Sequence, residues 1–174
     1  ALQAAWMGNA VTTEAPFRER LVAFWANHFT VSRNKGPLLQ ATMGNYVREA
    51  IRPHVTGHFG DMLLAVARHP AMLGFLDNGQ SIGPNSMAGQ RMGRGLNENL
   101  AREVMELHSL GVGGGYGQDD VRQLAELMTG LTVTAKDGFT FQERWVEPGA
   151  ETVLGVTYRG EGTEPIVRAL SALA

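Results

Sequence analysis

Residues 97–111 read NENLAREVMELHSLG, and this stretch decides the fold class because its apolar residues recur at helical spacing. Asn97 is of a residue type that caps helix N-termini, and Glu98 places a negative charge in the first turn. At about 100° per residue the apolar residues form one stripe, which consists of Leu96, Leu100, Val104 and Leu107. We therefore expect an amphipathic helix that ends at Gly111.

The polar residues of this helix divide into two groups. The side opposite the stripe carries charges at i, i+4 and i+8, which predicts a salt-bridged solvent face formed by Glu98, Arg102 and Glu106. Glu103 lies on one edge of the stripe, and Asn97 and His108 lie on the other. A carboxylate on such an edge is poorly solvated unless a cation or hydrogen-bond donors meet it. Glu103 is therefore a candidate functional residue.

Helical spacing also dominates the rest of the first three quarters of the chain. Pro16 and Pro37 each suit the first position of a helix, and the second of these helices is expected to end near Pro53. Further helices are predicted over residues 61–69, 71–76 and 118–129 and at the carboxyl end. The polar, Gly-rich residues 77–95 read as a long loop, which in a compact domain is usually functional or disordered.

The spacing changes after Gly130 to the alternation typical of strands. Residues 131–136 and 139–145 predict a β-hairpin with Asp137-Gly138 as its two-residue turn. The predicted fold is therefore mainly α: a compact helical bundle with one small β-hairpin near residues 131–145. We expect residues 1–174 to form a single domain.

On the first helix, His28 lies in the middle of an apolar stripe and Asn27 points away from it; the stripe consists of Phe17, Leu21, Phe24 and Trp25. A histidine there should be largely buried, so it is either neutral and hydrogen-bonded or paired with an acid. A satisfied core histidine is one interpretation.

Our hypothesis is the second interpretation, in which His28 and Glu103 share one buried polar cluster. Two groups that are costly to bury on separate apolar faces are less costly together, and Arg102, Arg91 or Arg94 would supply further charge. If the cluster orders the core, Glu103→Gln should lower the free energy of unfolding by about 1–3 kcal/mol.

Composition excludes several classes of function. The chain has no Cys, which rules out disulfides, thiolate zinc sites and cysteine nucleophiles. Its 174 residues carry a net charge of −2, so no basic field attracts nucleic acid, and nucleic acid is not an expected partner. No apolar run of about 18 residues is present, so this piece should not span a membrane.

Motifs for cofactors and metals are weak. His54 and His58 have HxxxH spacing, but the Pro and Gly beside them disfavour a continuous helix. The helix over residues 97–111 matches neither HExxH nor the ExxH motif of di-iron bundles, and residues 111–117 fit no phosphate-binding glycine loop. Cofactor, metal and catalytic residues therefore stay unassigned.

A series of motifs along nearly the whole chain resembles the bacterial DUF1800 family: FWANHFTVS at 24–32, REAIRPH at 48–54, LAVARHPAML at 64–73, GLNENLARE at 95–103, ELHSLG at 106–111 and LMTG at 127–130. The family pattern matches at the residues that form our candidate polar site, namely Asn27, His28, Asn97, Glu98, Asn99, Arg102, Glu103, Glu106 and His108. Ala26 stands where the family usually has His, which weakens an H-x-H metal pair with His28. Val146 also replaces a usual His, which argues against a catalytic role that relies on that side chain.

The resemblance implies no reaction, because the family name itself records an unknown function. It implies that the chain is an internal piece of a longer protein, and that this protein is periplasmic or secreted. Two function classes stay open: a binding or structural protein whose loop over residues 77–95 meets a small molecule or a protein, and a hydrolase-type enzyme that uses Glu103 and His28. An open pocket that holds both side chains would favour the enzyme.

Overall fold

The computed structural model describes residues 8, 12–32, 35–93, 95–134 and 138–174, of which 37, 38 and 41 by their backbone alone. These residues are mainly helical, as predicted. The α-helices are α1 (Pro16–His28), α2 (Pro37–Tyr46), α3 (Phe59–Arg68), α4 (Pro70–Phe75), α5 (Met87–Met92), α6 (Asn99–Glu103), α7 (Gln118–Leu127) and α8 (Glu164–Ala172).

Proline lies in the first turn of four of these helices, since its missing N–H and fixed φ suit that position. Two helices change pitch before they end. α2 continues into a π-helix, Val47–Ile51, and a 3₁₀ turn, Arg52–His54, which ends the segment at the predicted proline. α6 continues into a π-helix, Val104–Ser109, in which the N–H of Leu110 donates to the carbonyl of Met105, five residues earlier, at 3.0 Å.

The π-helix corrects the apolar stripe that was predicted for residues 97–111. Leu100 and Val104 are buried as expected, but the Leu107 side chain is 54% exposed, and Met105 and His108 are buried instead. Hydrogen bonds from i to i+5 widen the turn, so residues after Val104 rotate away from the positions of a regular wheel. A sequence pattern at 3.6 residues per turn cannot show this change.

The stripe predicted for α1 is also wrong in part. Phe17 and Phe24 are exposed, and the helix buries Val22 and Phe29. Leu21 and Trp25 of the predicted stripe do pack on the core, together with Val22, Ala26 and Phe29, and α1 contacts the segment 47–51. His28 is consequently half-buried rather than largely buried.

The predicted hairpin is present as β1 (Leu131–Thr134) and β2 (Gly138–Phe141), which pair antiparallel from Leu131↔Phe141 to Thr134↔Gly138. Gly138 therefore belongs to a strand pair instead of a two-residue turn, and residues 135–137 lie outside the described part of the chain. Residues 143–145, predicted as strand, form a 3₁₀ turn, Glu143–Trp145.

A second hairpin was not predicted. Strands β3 (Glu151–Val153) and β4 (Val156–Tyr158) pair antiparallel around Leu154 and Gly155, which both have positive φ angles. Such turns usually have Asn-Gly or Asp-Gly, and this one has Leu154-Gly155, so the sequence lacks the usual hairpin signal. Leucine is unfavourable at a positive φ angle. The Asp120 carboxylate instead accepts the Leu154 N–H at 2.7 Å and ties the turn to α7.

The core lies between α3, α4, α7 and α8, with α3 packed on α8, α7 on β3 and α4 on β1. The long loop over residues 77–95 is not structureless, since it contains a 3₁₀ turn, Asn78–Gln80, and helix α5. Ser86 caps α5, because its hydroxyl oxygen accepts the Gly89 N–H at 3.0 Å. Arg94 of this loop lies outside the described residues.

Candidate functional site

A cavity of about 780 Å³ lies between α5, the 3₁₀ turn Glu143–Trp145, strand β4 and the start of α8. Its floor is buried, and its rim includes the exposed side chains of Met87 and Gln90. Apolar residues line part of the wall, namely Leu127, Phe141, Tyr158, Pro165 and Ile166. This volume is within the range of about 300–1,000 Å³ that small-molecule sites occupy.

Buried glutamates gather at the floor of the cavity. Glu147 and Glu151 line it, and Glu126 lies close enough to Glu151 to influence its pKa. Two of the three carboxylates have partners. Glu147 accepts the Asn85 backbone N–H at 3.0 Å and the Asn85 side-chain amide, while Glu126 accepts the Arg122 Nε–H at 3.1 Å and the Gln123 amide at 2.8 Å.

Glu151 differs from the other two. Its side chain is 6% exposed, and no hydrogen bond or ion pair joins its carboxylate to another residue in the described ranges. Burial raises the pKa of Glu151 to about 7, with its own backbone N–H acting against the rise and the charges of Glu126 and Glu147 adding to it. This carboxyl group therefore gains and loses its proton near neutral pH.

Local structure explains how both cavity glutamates are held. In β3 the side chains alternate, so Glu151 and Val153 are buried while Thr152 is exposed. The Glu147 N–H donates to the Thr129 hydroxyl at 2.8 Å, which fixes the start of the turn. A Cβ atom on Gly83 would lie 2.6 Å from Glu147 Cα, so the close approach of these two backbones requires glycine at position 83.

The predicted charged face of residues 97–111 is confirmed for its first pair. The Arg102 guanidinium donates to Glu98 at 3.0 Å and to the Gln118 amide oxygen at 2.9 Å. The Gln118 amide in turn donates to Glu98 at 2.7 Å, which links the start of α6 to the start of α7. These three side chains form a closed network at the surface, outside the cavity.

Asn97 was predicted to cap this helix, but the N-cap residue is Glu98, whose side chain makes no capping hydrogen bond. The Asn97 side-chain oxygen instead accepts the Asn99 N–H at 2.9 Å, just before the first turn. Its backbone N–H donates to the Ser81 hydroxyl at 3.0 Å. Asn97 also lines a shallow hollow of about 590 Å³ beside Asp77. The Asn27 and Asn99 side chains are exposed, on α1 and α6.

His28 and His108 lie next to each other. His28 Nε2 is 3.2 Å from the His108 carbonyl oxygen, which can only accept, so Nε2 carries the proton and donates. The His108 side chain is 5% exposed, and its Nδ1 atom has no hydrogen-bond partner among the residues that the structure describes. Burial, together with the charge of His28, lowers the pKa of His108 to about 4.

Glu103 is half-buried at the end of α6. Burial raises its pKa, and the neighbouring charge of Glu106 raises it further. Within the described residues, Glu103 forms no hydrogen bond or ion pair with His28. The hydrogen-bond partner of His28 is thus the His108 carbonyl. A polar cluster shared by His28 and Glu103 stays a hypothesis.

Comparison with known proteins adds one result. The family described as protein of unknown function (DUF1800) matches residues 1–174, which is the whole chain. The chain belongs to the DUF1800 family. No curated protein and no solved structure matches it. Since the family description names no activity, the function of this DUF1800 chain has to be argued from its site.

Sequence reasoning missed the acidic floor of the cavity in this DUF1800 chain. One signal was present, because residues 151–158 read ETVLGVTY and alternate as a strand pair does, which places Glu151 on the same face as Val153. The cavity itself is built by segments far apart in sequence, from Asn85 to Ile166. A sequence pattern within one segment does not reveal such a meeting.

Two further findings bound the chemistry of the DUF1800 chain. Among the described residues, no group of three or more His, Asp or Glu side chains is arranged to hold a metal ion. The helices in the same part of the chain are all too short or too polar to cross a membrane.

Proposed function

We propose that this DUF1800 chain is a ligand-binding protein and that the cavity over Glu147 and Glu151 is its binding site. The observation that carries the proposal is the Glu151 carboxyl group, which is buried, lines the cavity and has no partner on another residue in the described ranges. Burying an ionisable group without compensation destabilises a fold. Groups of this kind concentrate at binding and catalytic sites, where a ligand supplies the missing interaction.

The make-up of the cavity supports the same proposal. Small-molecule sites combine apolar walls with a few convergent polar groups, and here the apolar side chains of Leu127, Phe141 and Ile166 stand beside two carboxyl groups. The segment over residues 77–95, expected from its composition to meet a ligand or a partner, contributes part of the wall through Asn85, Ser86, Met87 and Gln90.

Two methionines on α5 allow a matched test. Met87 lines the cavity and is 60% exposed, whereas Met92 is 54% exposed and lies outside the lining. We expect Met87→Trp to narrow the cavity and weaken the binding of small aromatic fragments at least tenfold, equivalent to about 1.4 kcal/mol. Met92→Trp should leave their affinity within about twofold of the wild type.

The measurement is ligand-observed NMR with a diverse fragment panel, followed by dissociation constants for the fragments that bind. The panel includes 2-phenylethylammonium, 2-phenylethanol and 3-phenylpropanoate, which share one apolar body. If no fragment binds the wild-type chain, or if Met87→Trp and Met92→Trp affect binding equally, the cavity is not the binding site and the proposal is wrong.

A hydrolase-type reaction by Glu103 and His28 is the second candidate function. The observation in its favour is the raised pKa of Glu103, which suits a general acid or base. His28 Nε2 donates to the His108 carbonyl, so its Nδ1 atom would have to act as the partner. The cavity is favoured over this alternative because it combines volume, apolar walls and a buried carboxyl group in one place.

The structure changes the expected effect of Glu103→Gln. The raised pKa means that the charged carboxylate destabilises the folded state, with the full effect above the folded pKa and none below the unfolded pKa. Glu103→Gln should therefore leave the melting temperature unchanged or raise it at pH 8, and any gain should vanish at pH 4. Thermal unfolding at both pH values measures this. A lower melting temperature at pH 8 would instead favour the buried cluster in which Glu103 has a partner.

A further inference from the structure

We infer that the ligand of the cavity is an organic cation, in which an ammonium or guanidinium group on an apolar body is held by the carboxylates of Glu151 and Glu147. This inference rests on the proposed binding function and names its ligand class. It stands on the arrangement of charges, acceptors and apolar walls in the cavity.

The charge balance of the lining favours a cation. Among the described residues that line the cavity, Arg144 is the one cationic side chain, and four are glutamates: Glu143, Glu147, Glu151 and Glu161. Glu126 adds a further carboxylate close behind Glu151. A cleft lined by one sign of charge attracts ligands of the opposite sign, and an anionic ligand would be repelled from this floor.

The hydrogen-bonding capacity of the floor points the same way. An ionised carboxylate accepts hydrogen bonds and donates none, so Glu151 needs more donors than its own backbone N–H, and no other residue in the described ranges supplies one. Glu147 already holds Asn85 through both of its oxygens, and each oxygen retains a further lone pair. An ammonium group has three N–H donors, so it can donate hydrogen bonds to Glu151 as its main partner and to Glu147 as a second one.

The site suits an organic cation better than a metal ion. Calcium takes about six to eight oxygen ligands and magnesium about six, whereas no group of three acidic or histidine side chains in the described ranges is arranged for a metal. The volume of about 780 Å³ and the walls of Phe141, Tyr158 and Ile166 leave room for an apolar body beyond the charged head.

Binding of a cation should release a proton. Near pH 7 part of the Glu151 population is protonated, and a bound cation favours the carboxylate. If only the ionised form binds, the affinity rises about tenfold from pH 6 to pH 8, because the binding-competent fraction rises by that factor. The ionisable groups that face Glu151 or share its cavity are Glu126 from α7, Glu147 from the turn, Glu143 and Arg144 from the 3₁₀ turn, Tyr158 from β4 and Glu161 from the loop after β4.

Isothermal titration calorimetry with three probes of one shape tests the inference. We expect 2-phenylethylammonium to bind at least tenfold more tightly at pH 8 than 2-phenylethanol, and 3-phenylpropanoate to bind least. At pH 7, titrations in two buffers of different ionisation enthalpy should show net proton release with the cation. Glu151→Gln should remove both the preference and the proton release.

A charge-matched control separates the site from the net charge of the protein. Glu14 is exposed and lies before α1, outside the cavity lining, so Glu14→Gln should keep the full preference for the cation. If the neutral or anionic probe binds as tightly as the cation, and Met87→Trp still blocks it, the cation inference is wrong while the binding function stands. If no probe responds to Met87→Trp, the binding function itself is wrong.

Discussion

Replacing Glu151 by glutamine should raise the free energy of unfolding by about 2–3 kcal/mol at pH 8. The pKa of Glu151 is raised to about 7 in the folded chain from an ordinary value of 4.5, because burial disfavours the charged form. Above pH 7 the folded protein therefore carries a charge that is more costly to hold than in the unfolded chain. Glutamine has the shape of the protonated acid and carries no charge, so the variant avoids this penalty.

The pH profile gives the prediction its sign. Between pH 4.5 and 7 the unfolded chain loses the Glu151 proton while the folded chain keeps it, so the wild-type stability contributed by this group falls as the pH rises through that window. Urea unfolding at pH 4.5, 6, 7 and 8 should show the advantage of Glu151→Gln growing from near zero to its full value. Glu14→Gln, which removes an exposed charge, should stay within about 0.5 kcal/mol of the wild type throughout. A Glu151→Gln variant that is less stable than the wild type at pH 8 would mean that the carboxylate has a stabilising partner.

Glu151→Gln separates stability from binding, since the same change should raise the free energy of unfolding and lower the affinity for the cation. Sites that hold a ligand often keep a destabilised group, and stabilising that group removes the function. A substitution that merely damaged the fold would lower both quantities. Opposite changes in the unfolding free energy and the affinity for 2-phenylethylammonium would therefore assign a functional role to Glu151.

Local signals in the sequence were enough for most of the helices. Pro16 and Pro37 begin helices as predicted, because proline suits the first turn, and the helix predicted over residues 118–129 is present as α7. The ion pair between Glu98 and Arg102 follows from their i, i+4 spacing within one helix. Each of these features is decided by neighbours within a few residues.

The errors have a common physical cause, because each depends on geometry that spacing does not encode. The π-helix over Val104–Ser109 moves Leu107 outward and His108 inward. The Leu154-Gly155 turn adopts positive φ angles with support from Asp120, a residue on another element. The cavity floor depends on tertiary contacts between distant segments. The candidate site predicted from the sequence lay instead on two helices, at residues 27–28 and 97–108, and none of its residues lines the cavity.

His108 gives the second large prediction, with the opposite dependence on pH. Its pKa is lowered from 6.5 to about 4 by burial and by the charge of His28, so the unfolded chain takes up a proton below pH 6.5 that the folded chain refuses. The stability contributed by this group therefore falls by about 3 kcal/mol between pH 6.5 and pH 4, and falls no further below the folded pKa. Glu103 and Glu151 act in the other direction, since folded states that contain acids of raised pKa gain stability as the pH falls.

Comparing the wild type with His108→Phe separates the contribution of His108 to the pH-dependent stability from the contributions of Glu103 and Glu151, which both proteins share. Phenylalanine keeps an aromatic ring beside Phe29, whose ring centre lies 5.1 Å from that of His108. It also removes the Nδ1 atom, for which the described part of the chain offers no hydrogen-bond partner. We expect the two proteins to differ by less than about 1 kcal/mol at pH 7.5 and the variant to be more stable by about 3 kcal/mol at pH 4, measured by urea unfolding. His58→Gln, at an exposed histidine, should follow the wild-type profile. Parallel profiles for wild type and His108→Phe would show that His108 takes up its proton in the folded chain as readily as in the unfolded one, and the buried neutral imidazole would then be the wrong description of this residue.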